Sequence, residues 1–173
     1  MRKSLLFLVL VLNGLSVFAF QTEQDQNKST TILFVRHAER AEDGTRNPPI
    51  SDEGIVRAEN LAKVIENGDF NVTYIFSTPY KRTQMTATPT ADFLELEITE
   101  YGFDDLENWL TEVITKNAGN TVLIVGHSNT TPRLINMVIG EERFEQLDEH
   151  AFGDLFIVKT NLYGSGEVEI SKF

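Results

Sequence analysis

The sequence predicts an α/β fold, a three-layer α/β/α sandwich around a mostly parallel sheet. Short apolar runs of strand length alternate along the chain with longer segments whose apolar residues recur at helical spacing. Two of the runs, Thr31–Val35 and Thr121–Val125, are apolar almost throughout, as strands are when helices cover both faces of a parallel sheet. No internal repeat, low-complexity tract or linker divides the chain, so we expect a single domain over residues 31–173.

Five segments have the length and composition of strands. They are Thr31–Val35, Val72–Phe76, Thr121–Val125, Asp154–Lys159 and Gly166–Ser171. The last one alternates Val168 and Ile170 with glutamates, which is typical of a strand with one face in solvent. We therefore expect the chain to end on a half-exposed strand.

Between these runs, apolar residues recur at the spacing of a helix. The first predicted helix has Ser51 as its cap and Gly68 at its end, and it should bury one apolar face. That face consists of Ile55, Ala58, Leu61, Ala62 and Ile65. A second helix is predicted from Tyr80 to Leu94, where Pro89 should break or bend it.

Two more helices are predicted later in the chain. The apolar residues of the third repeat at helical spacing and are Leu106, Trp109, Leu110, Val113 and Ile114. Asp104 and Asp105 precede it, where carboxylates favour a helix start, and Gly119 follows its end. A fourth helix begins near Thr131 or Pro132, and the amides at its positive end can bind an anion.

The amino terminus has the pattern of a signal peptide over residues 1–19. Arg2 and Lys3 precede an apolar run from Leu5 to Leu12, and cleavage is expected after Ala19. The run is shorter than the ~20 residues of a spanning helix, and an uncleaved membrane anchor is the alternative. Residues 20–30 are mostly polar and are predicted to form a flexible lead. We therefore expect a protein that is exported, periplasmic or secreted.

The composition excludes several kinds of binding partner and of catalytic chemistry. The chain has 26 acidic and 15 basic residues and a formal charge of −11, which would repel nucleic acid and an anionic membrane surface. We therefore expect neither nucleic-acid binding nor stable membrane insertion. The chain has no cysteine, which excludes disulfides, thiolate catalysis, iron–sulfur clusters, zinc ribbons and a lipid anchor on cysteine. Any catalysis must use histidine, serine, threonine or carboxylates.

Polar residues directly follow three predicted strands, at the edge where parallel sheets bind ligands. Arg36 and His37 follow the first strand, Arg82 comes shortly after the second, and His127 follows a third. A neutral imidazole is a competent nucleophile near neutral pH, and guanidinium groups bind phosphate oxygens through paired hydrogen bonds. The set predicts phosphoryl transfer through a covalent phosphohistidine, a scheme that requires neither a metal nor another cofactor.

The residues around these positions resemble the histidine phosphatase superfamily, also called the phosphoglycerate mutase-like family. The resemblance rests on FVRHAE after the first strand, STPYKRTQMTA in the middle, and VGHSNTTPRL after a later strand, in the family's order. It extends over about residues 31–159. It implies a phosphoglycerate mutase-like fold in which His37 becomes phosphorylated and Arg36, Arg82 and His127 complete the phosphate pocket.

The chain also departs from the family's pattern. Ala38 stands where many members carry glycine, a small-for-small change that costs backbone freedom. The short chain resembles the compact branch, which includes small phosphohistidine protein phosphatases, and it has no room for the large cap of acid phosphatases and phytases. A narrow substrate pocket is therefore not assured by the resemblance.

The family's usual proton donor is a carboxylate between the second arginine and the second histidine. That interval contains Glu95, Glu97, Glu100, Asp104 and Asp105. The two aspartates are more simply helix caps. Glu39, next to the expected nucleophile, is another candidate, with an ion pair to a neighbouring arginine as its alternative. The acid stays unassigned at this stage.

Other residues carry weaker signals. Four further arginines can contact substrate or remain solvated or paired with carboxylates: Arg40, Arg46, Arg57 and Arg133. His150 has acidic neighbours and is predicted to be a surface residue. A zinc site on the three histidines lacks any H-x-H or H-E-x-x-H pair, and Ser128 lacks the second glycine of a G-x-S-x-G elbow.

The leading hypothesis is an exported phosphomonoesterase that resembles histidine acid phosphatases and acts on a small phosphorylated substrate or a phosphoprotein. A phosphomutase is a second hypothesis, which export disfavours. A phosphohistidine protein phosphatase fits the small size but requires a cytoplasmic partner. The non-enzyme alternative is a module that binds phosphate without turnover, because no obvious acid is present.

Overall fold

The computed structural model describes residues 28–68 and 70–173. The predicted signal peptide and residues 20–27 of the predicted lead lie outside the described residues. Thr30, the last residue of that lead, is buried in the first strand, where its hydroxyl donates to the Ile114 carbonyl at 2.7 Å. The sheet therefore begins one residue earlier than predicted.

Six strands form one sheet in the described part of the chain. They are β1 (Thr30–Arg36), β2 (Val72–Ser77), β3 (Ile98–Glu100), β4 (Thr121–Gly126), β5 (Asp154–Thr160) and β6 (Glu167–Lys172). Their spatial order is β3-β2-β4-β1-β5-β6. The first four are parallel, whereas β5 and β6 are antiparallel to their neighbours. The mostly parallel sheet of the prediction is confirmed.

Four helices accompany the sheet among these residues. They are α1 (Asp52–Asn67), α2 (Lys81–Leu94), α3 (Leu106–Lys116) and α4 (Thr130–Ile139). None of the helices in residues 28–68 and 70–173 is long and apolar enough to cross a membrane. Ser51 caps α1 as predicted, because its hydroxyl accepts a hydrogen bond from the Gly54 amide at 3.2 Å.

The helices cover both faces of the sheet, so the three-layer architecture is confirmed. Alternate residues of β1 enter two different cores, because neighbouring side chains of a strand point to opposite faces. Ile32 and Phe34 pack with residues of α3 and α4. Leu33 and Val35 pack with residues of α1 and α2. Burial on both faces explains why β1 and β4 are continuous apolar runs.

The structure corrects four details of the prediction. Ile55, assigned to the buried face of α1, is exposed, and so is Ile170 on β6. Pro89 does not break α2, which continues to Leu94. Ala87 and Ala91 are buried on either side of Pro89, and the packing of that face outweighs the loss of one helical hydrogen bond. Asp105 occupies the start of α3 but makes no capping bond, since its φ of +51° is left-handed.

The strand β3 was not predicted. It has three residues, of which only Ile98 is shielded from solvent and packs on the core. A strand this short has no periodicity to detect, although its partner in the sheet, β2, is the strand that precedes it in the sequence, on the other side of α2. Its pairing places Glu100 opposite Ser77, at the edge where β1, β2 and β4 also end.

Candidate active site

The carboxyl ends of three adjacent parallel strands bring the predicted residues together. Arg36 pairs with Gly126 across β1 and β4, and the amide of His37 donates to the Gly126 carbonyl at 2.9 Å. His127 directly follows β4. The two imidazoles are therefore adjacent, with ring centroids 5.4 Å apart and planes at 70°. The structure therefore places His37 and His127 next to each other, as expected from their positions at the ends of neighbouring strands.

The two histidines stand at the base of a cleft of about 730 Å³. Only 6% of His37 and 8% of His127 is exposed. The cleft is lined by Arg36, His37, Glu39, Arg40, Glu42, Tyr80, Arg82, Phe103, His127, Ser128, Asn129, Thr130, Arg133, Glu149, His150 and Phe152. All four residues predicted to form the phosphate pocket are among them.

The tautomer of His37 follows from one contact. Its Nδ1 lies 2.7 Å from the carbonyl oxygen of Ala38, which can only accept, so Nδ1 carries the proton. In the neutral ring Nε2 then holds the free lone pair. The Ala38 backbone is held in turn, because its amide donates to the Thr86 hydroxyl at 2.9 Å. The ring nitrogen with the free lone pair is therefore set by a fixed backbone.

A chain of hydroxyl groups orients His127. Its Nε2 lies 2.9 Å from the Thr78 hydroxyl, and its Nδ1 lies 3.3 Å from a terminal nitrogen of Arg82. Because a guanidinium can only donate, Nδ1 is the acceptor and Nε2 carries the proton. The Thr78 hydroxyl continues to that of Thr83 at 2.9 Å. The His127 amide donates to the Thr130 hydroxyl at 2.9 Å, which fixes the backbone as well.

Both imidazoles are neutral at pH 7. The pKa of His37 is lowered to about 3, chiefly by burial, and the charges of His127, Arg82 and Arg36 act in the same direction against the effect of the Ala38 carbonyl. Burial also lowers the pKa of His127 to about 4, with Arg82 and Arg36 acting in the same direction. A neutral ring keeps its lone pair, so His37 is available as a nucleophile near neutral pH.

Arg36 and Arg82 leave their charge free for an anion. Arg36 donates to the carbonyls of Asp148 at 2.6 Å and Ala151 at 3.1 Å, and its guanidinium lies 4.2 Å from the Phe152 ring centroid. Its Nε is buried without a hydrogen-bond partner. Within residues 28–68 and 70–173, neither arginine forms a salt bridge to a carboxylate. These guanidinium groups are therefore positioned by carbonyls and aromatic rings and not neutralised.

A sequence-family comparison agrees with this site. The model of the histidine phosphatase superfamily (branch 1) matches residues 32–102, a segment that contains Arg36, His37 and Arg82. Residues 32–102 therefore have the sequence pattern of the histidine phosphatase superfamily. A comparison with curated proteins found no match.

Several solved structures share the fold of this chain. The protein histidine phosphatase SixA in complex with tungstate matches with a TM-score of 0.68 and 15% identity, over 82% of this chain and 96% of SixA. A phosphoserine phosphatase from Entamoeba histolytica, in complex with 3-phosphoglyceric acid, matches with a TM-score of 0.62 and 15% identity, over 83% and 96% of the two chains. A mycobacterial glucosyl-3-phosphoglycerate phosphatase matches with a TM-score of 0.65 and 12% identity, over 84% and 99%. At these identities the likeness concerns the fold.

The departure from the family's pattern at position 38 is accommodated in the structure. Ala38 is fully buried and packs with Ile50, Ala58 and the partly buried Met85. Its φ is not positive, so the position does not require glycine. The methyl group fills space in this small cluster and leaves the His37 contact in place.

The candidate proton donors do not converge on the cleft. Glu39 lines it, but both of its oxygens accept from Arg57 Nε, at 2.7 and 2.8 Å. The pKa of Glu39 is lowered because hydrogen bonds and the charge of Arg57 outweigh burial. The predicted alternative, an ion pair, is therefore what the structure has. The remaining candidates, Glu95, Glu97, Glu100, Asp104 and Asp105, are exposed and do not line the cleft.

The other candidate residues from the sequence also differ in whether they line the cleft. Arg40 and Arg133 line the cleft, whereas Arg46 does not and Arg57 is bound to Glu39. His150 is exposed, as predicted, but stands on the cleft rim. Ser128 lines the cleft, and no hydrogen bond in the described part of the chain joins its hydroxyl to a histidine. Residues 28–68 and 70–173 contain no group of three His, Asp or Glu side chains that could hold a metal ion.

Two kinds of site residue were missed from the sequence. The hydroxyls of Thr78, Thr83 and Thr130 fix His127, and all three threonines lie within the motifs quoted above. The aromatic residues of the cleft are Tyr80, Phe103 and Phe152. Phe103 and Phe152 lie in connecting segments without periodicity, so only the folded chain brings them to the imidazoles.

Proposed function

We propose that this protein is a phosphomonoesterase that works through a phosphohistidine intermediate on His37. The observation that carries the proposal is the free Nε2 of His37 in a cleft with two guanidinium groups, neither of which forms a salt bridge to a carboxylate of residues 28–68 or 70–173. Such groups bind the oxygens of a phosphate and offset charge in the transition state. Dianion binding next to a nucleophile is the arrangement that phosphoryl transfer requires.

The proposed reaction has two displacements. In the first, Nε2 of His37 forms a bond to phosphorus while the bond from phosphorus to the ester oxygen breaks, and that oxygen leaves with its electron pair and takes up a proton. In the second, water attacks phosphorus, the phosphorus–nitrogen bond breaks, and inorganic phosphate leaves. Arg36 and Arg82 hold the equatorial oxygens in both steps, and the His127 ring lies edge-to-face with that of His37.

The assignment of residues follows from their contacts. His37 is the nucleophile. Its Nδ1 is hydrogen-bonded to the Ala38 carbonyl, which leaves the lone pair of Nε2 available to attack phosphorus. Arg82 serves both the phosphate and His127, since its guanidinium lies beside Nδ1 of that ring. The carboxylate of Glu39 is held ionised by Arg57 and is therefore a poor proton donor. We leave the proton donor unassigned and expect turnover to depend strongly on the leaving group.

The experiment that tests the proposal is phosphate release from 4-nitrophenyl phosphate. The chain without residues 1–19 would be dialysed against a chelator and assayed from acid to neutral pH beside His37→Ala. We expect hydrolysis by the wild type in the presence of chelator, because no step requires a metal, and a phosphoenzyme that survives alkaline but not acid quench. Activity no greater than that of His37→Ala would refute the proposal.

Export forms a separate part of the proposal. It is supported by the basic residues, apolar run and small-residue site of residues 1–19. Expression of the full chain followed by sequencing of its amino terminus should give a protein that begins at Phe20 in an exported fraction. A full-length amino terminus in the cytosol would contradict export and would favour dephosphorylation of a phosphohistidine on a cytoplasmic protein.

The other candidates are outcomes of the same assays. A phosphomutase would give an isomerised ester in preference to free phosphate. A binding module would bind phosphate without forming a phosphoenzyme. The SixA likeness supports the phosphohistidine substrate only at the level of fold, because the identity is 15%.

A further inference from the structure

Three aromatic rings surround the imidazole pair. On the His127 side, the Tyr80 ring lies 5.0 Å from the imidazole at 88° and the Phe103 ring lies 6.3 Å away at 41°. On the opposite side, the Phe152 ring lies 6.3 Å from His37. All three rings line the cleft. The space above the nucleophile therefore has apolar walls, although its base is cationic.

Phe103 is an exposed wall of the cleft. It is 43% exposed and belongs to neither of the large apolar clusters around the sheet. It lies in the connection between β3 and α3, with its ring 6.5 Å from that of Tyr80. A large apolar side chain kept at the mouth of a charged cleft is typical of a ligand contact. Tyr80, by contrast, also supports Arg82, whose guanidinium lies 4.6 Å from its ring centroid.

We propose that the substrate carries a planar aromatic ring on the atom bonded to phosphorus, and that Phe103 and Tyr80 recognise this ring. The inference rests on the proposed function and specifies its substrate class. A phosphate held by Arg36 and Arg82 places the leaving group directly above His37, between the aromatic walls. A ring makes edge-to-face or offset contacts with these walls, whereas the hydroxyls of a sugar would lose water there without gaining partners.

The leaving-group chemistry supports the same class. When phosphorus bonds to Nε2 of His37, the electron pair of the broken bond stays on the ring-bound oxygen. A phenol oxygen has a pKa near 10, so it leaves with little help from an acid, whereas an alkoxide requires protonation. Glu39, the carboxylate nearest to His37 in sequence, is engaged by Arg57. An aromatic leaving group therefore fits a site whose neighbouring carboxylate is not free to donate.

Inhibition by two phosphonates isolates ring recognition from leaving-group chemistry. Phenylphosphonate and cyclohexylphosphonate have six-membered rings of similar size, and neither loses its ring during the assay. We expect the wild type to bind the phenyl compound about 3- to 10-fold more tightly, as an aromatic pair contributes. Phe103→Leu should reduce this preference to less than about twofold. The separate variant Phe103→Tyr, which keeps an aromatic ring, should show the wild-type preference.

The matched control is Phe93→Leu. Phe93 is similarly exposed, at 51%, but lies on α2 and does not line the cleft. This variant should keep the wild-type preference and melting temperature. Equal affinities of the wild type for the two phosphonates, a preference unchanged in Phe103→Leu, or no inhibition by either compound would each overturn the inference. Failure to hydrolyse 4-nitrophenyl phosphate above the His37→Ala level would instead contradict the proposed function.

Discussion

Nδ1 of His37 lies 2.7 Å from the carbonyl oxygen of Ala38, and this contact between adjacent residues decides which ring nitrogen is free. A carbonyl accepts only, so the proton sits on Nδ1 and the lone pair on Nε2. The amide of the same Ala38 is bound to Thr86 on α2. The orientation of the imidazole is therefore set by a backbone that two elements of the fold hold in place.

Removal of the His37 imidazole should abolish the covalent step. We expect His37→Ala to lower kcat for 4-nitrophenyl phosphate by at least about 1,000-fold and to form no phosphoenzyme, because the nucleophile is gone. Free imidazole, which can occupy the space left by the ring, should restore part of the phosphate release. A His37→Ala variant that still forms an acid-labile phosphoenzyme would show that another residue is the nucleophile.

Acidification should destabilise the protein through its buried imidazoles. The pKa of His37 is about 3 and that of His127 about 4 in the fold, against ~6.5 in the unfolded chain, so the unfolded state binds more protons between those limits. The stability present above about pH 6.5 is therefore lost as pH falls, by up to about 1.4 kcal/mol per pH unit for each imidazole.

Urea unfolding of the wild type and of the His37→Asn, His127→Gln double variant at pH 7, 6 and 5 measures this loss. The free energy of unfolding should fall more steeply with decreasing pH in the wild type than in the variant. Parallel curves for the two proteins would mean that neither imidazole is kept neutral by the fold.

Gly126 should not tolerate a side chain. A Cβ at this position would lie 2.8 Å from the Thr131 hydroxyl and 3.0 Å from the Thr130 hydroxyl, which accepts from the His127 amide. Gly126→Ala should lower the free energy of unfolding by about 1–3 kcal/mol and reduce kcat by moving His127.

The comparison for this variant is Gly102→Ala, where an added Cβ has no neighbour within 4 Å. Its stability should stay within about 0.5 kcal/mol of the wild type. Thermal or urea unfolding checks both variants, and equal stabilities would mean that α4 moves freely away from β4.

The pair of Glu39 and Arg57 should stabilise the fold next to the cleft. Both side chains are shielded, with Arg57 on α1 bound to both carboxylate oxygens. Arg57→Met keeps much of the apolar stem but leaves the carboxylate without its partner, and we expect a loss of about 1–3 kcal/mol in urea unfolding. Lys116→Met, which breaks an exposed pair with Glu112, should change stability by less than about 0.5 kcal/mol.

The same substitution should raise the pKa of Glu39, because the hydrogen bonds and charge of Arg57 hold it down. Carbon-13 NMR of the Glu39 carboxylate over the acid range measures the shift. A titration unchanged in Arg57→Met would contradict the role of Arg57 in keeping this group ionised.

The sequence predicted the elements whose signal is local and repeated. β1 and β4 are apolar runs because both faces are covered, and the motifs that follow them place His37 and His127 at adjacent strand ends. The short strand β3 and the exposure of Ile55 depend on which elements pack together, which periodicity does not encode. Phe103 and Phe152 reach the cleft through connecting segments, so no spacing rule indicates them.

The anchoring of Arg36 makes the catalytic rim depend on the exposed connection between α4 and β5. Its guanidinium is held by the carbonyls of Asp148 and Ala151, which lie in that connection and outside every helix and strand. Residues 148–151 belong to none of the apolar clusters, whereas Phe144 and Leu147, earlier in the same connection, pack against one of them. Substitutions at 148–151 can therefore tune anion affinity without removing a side chain from the folded core.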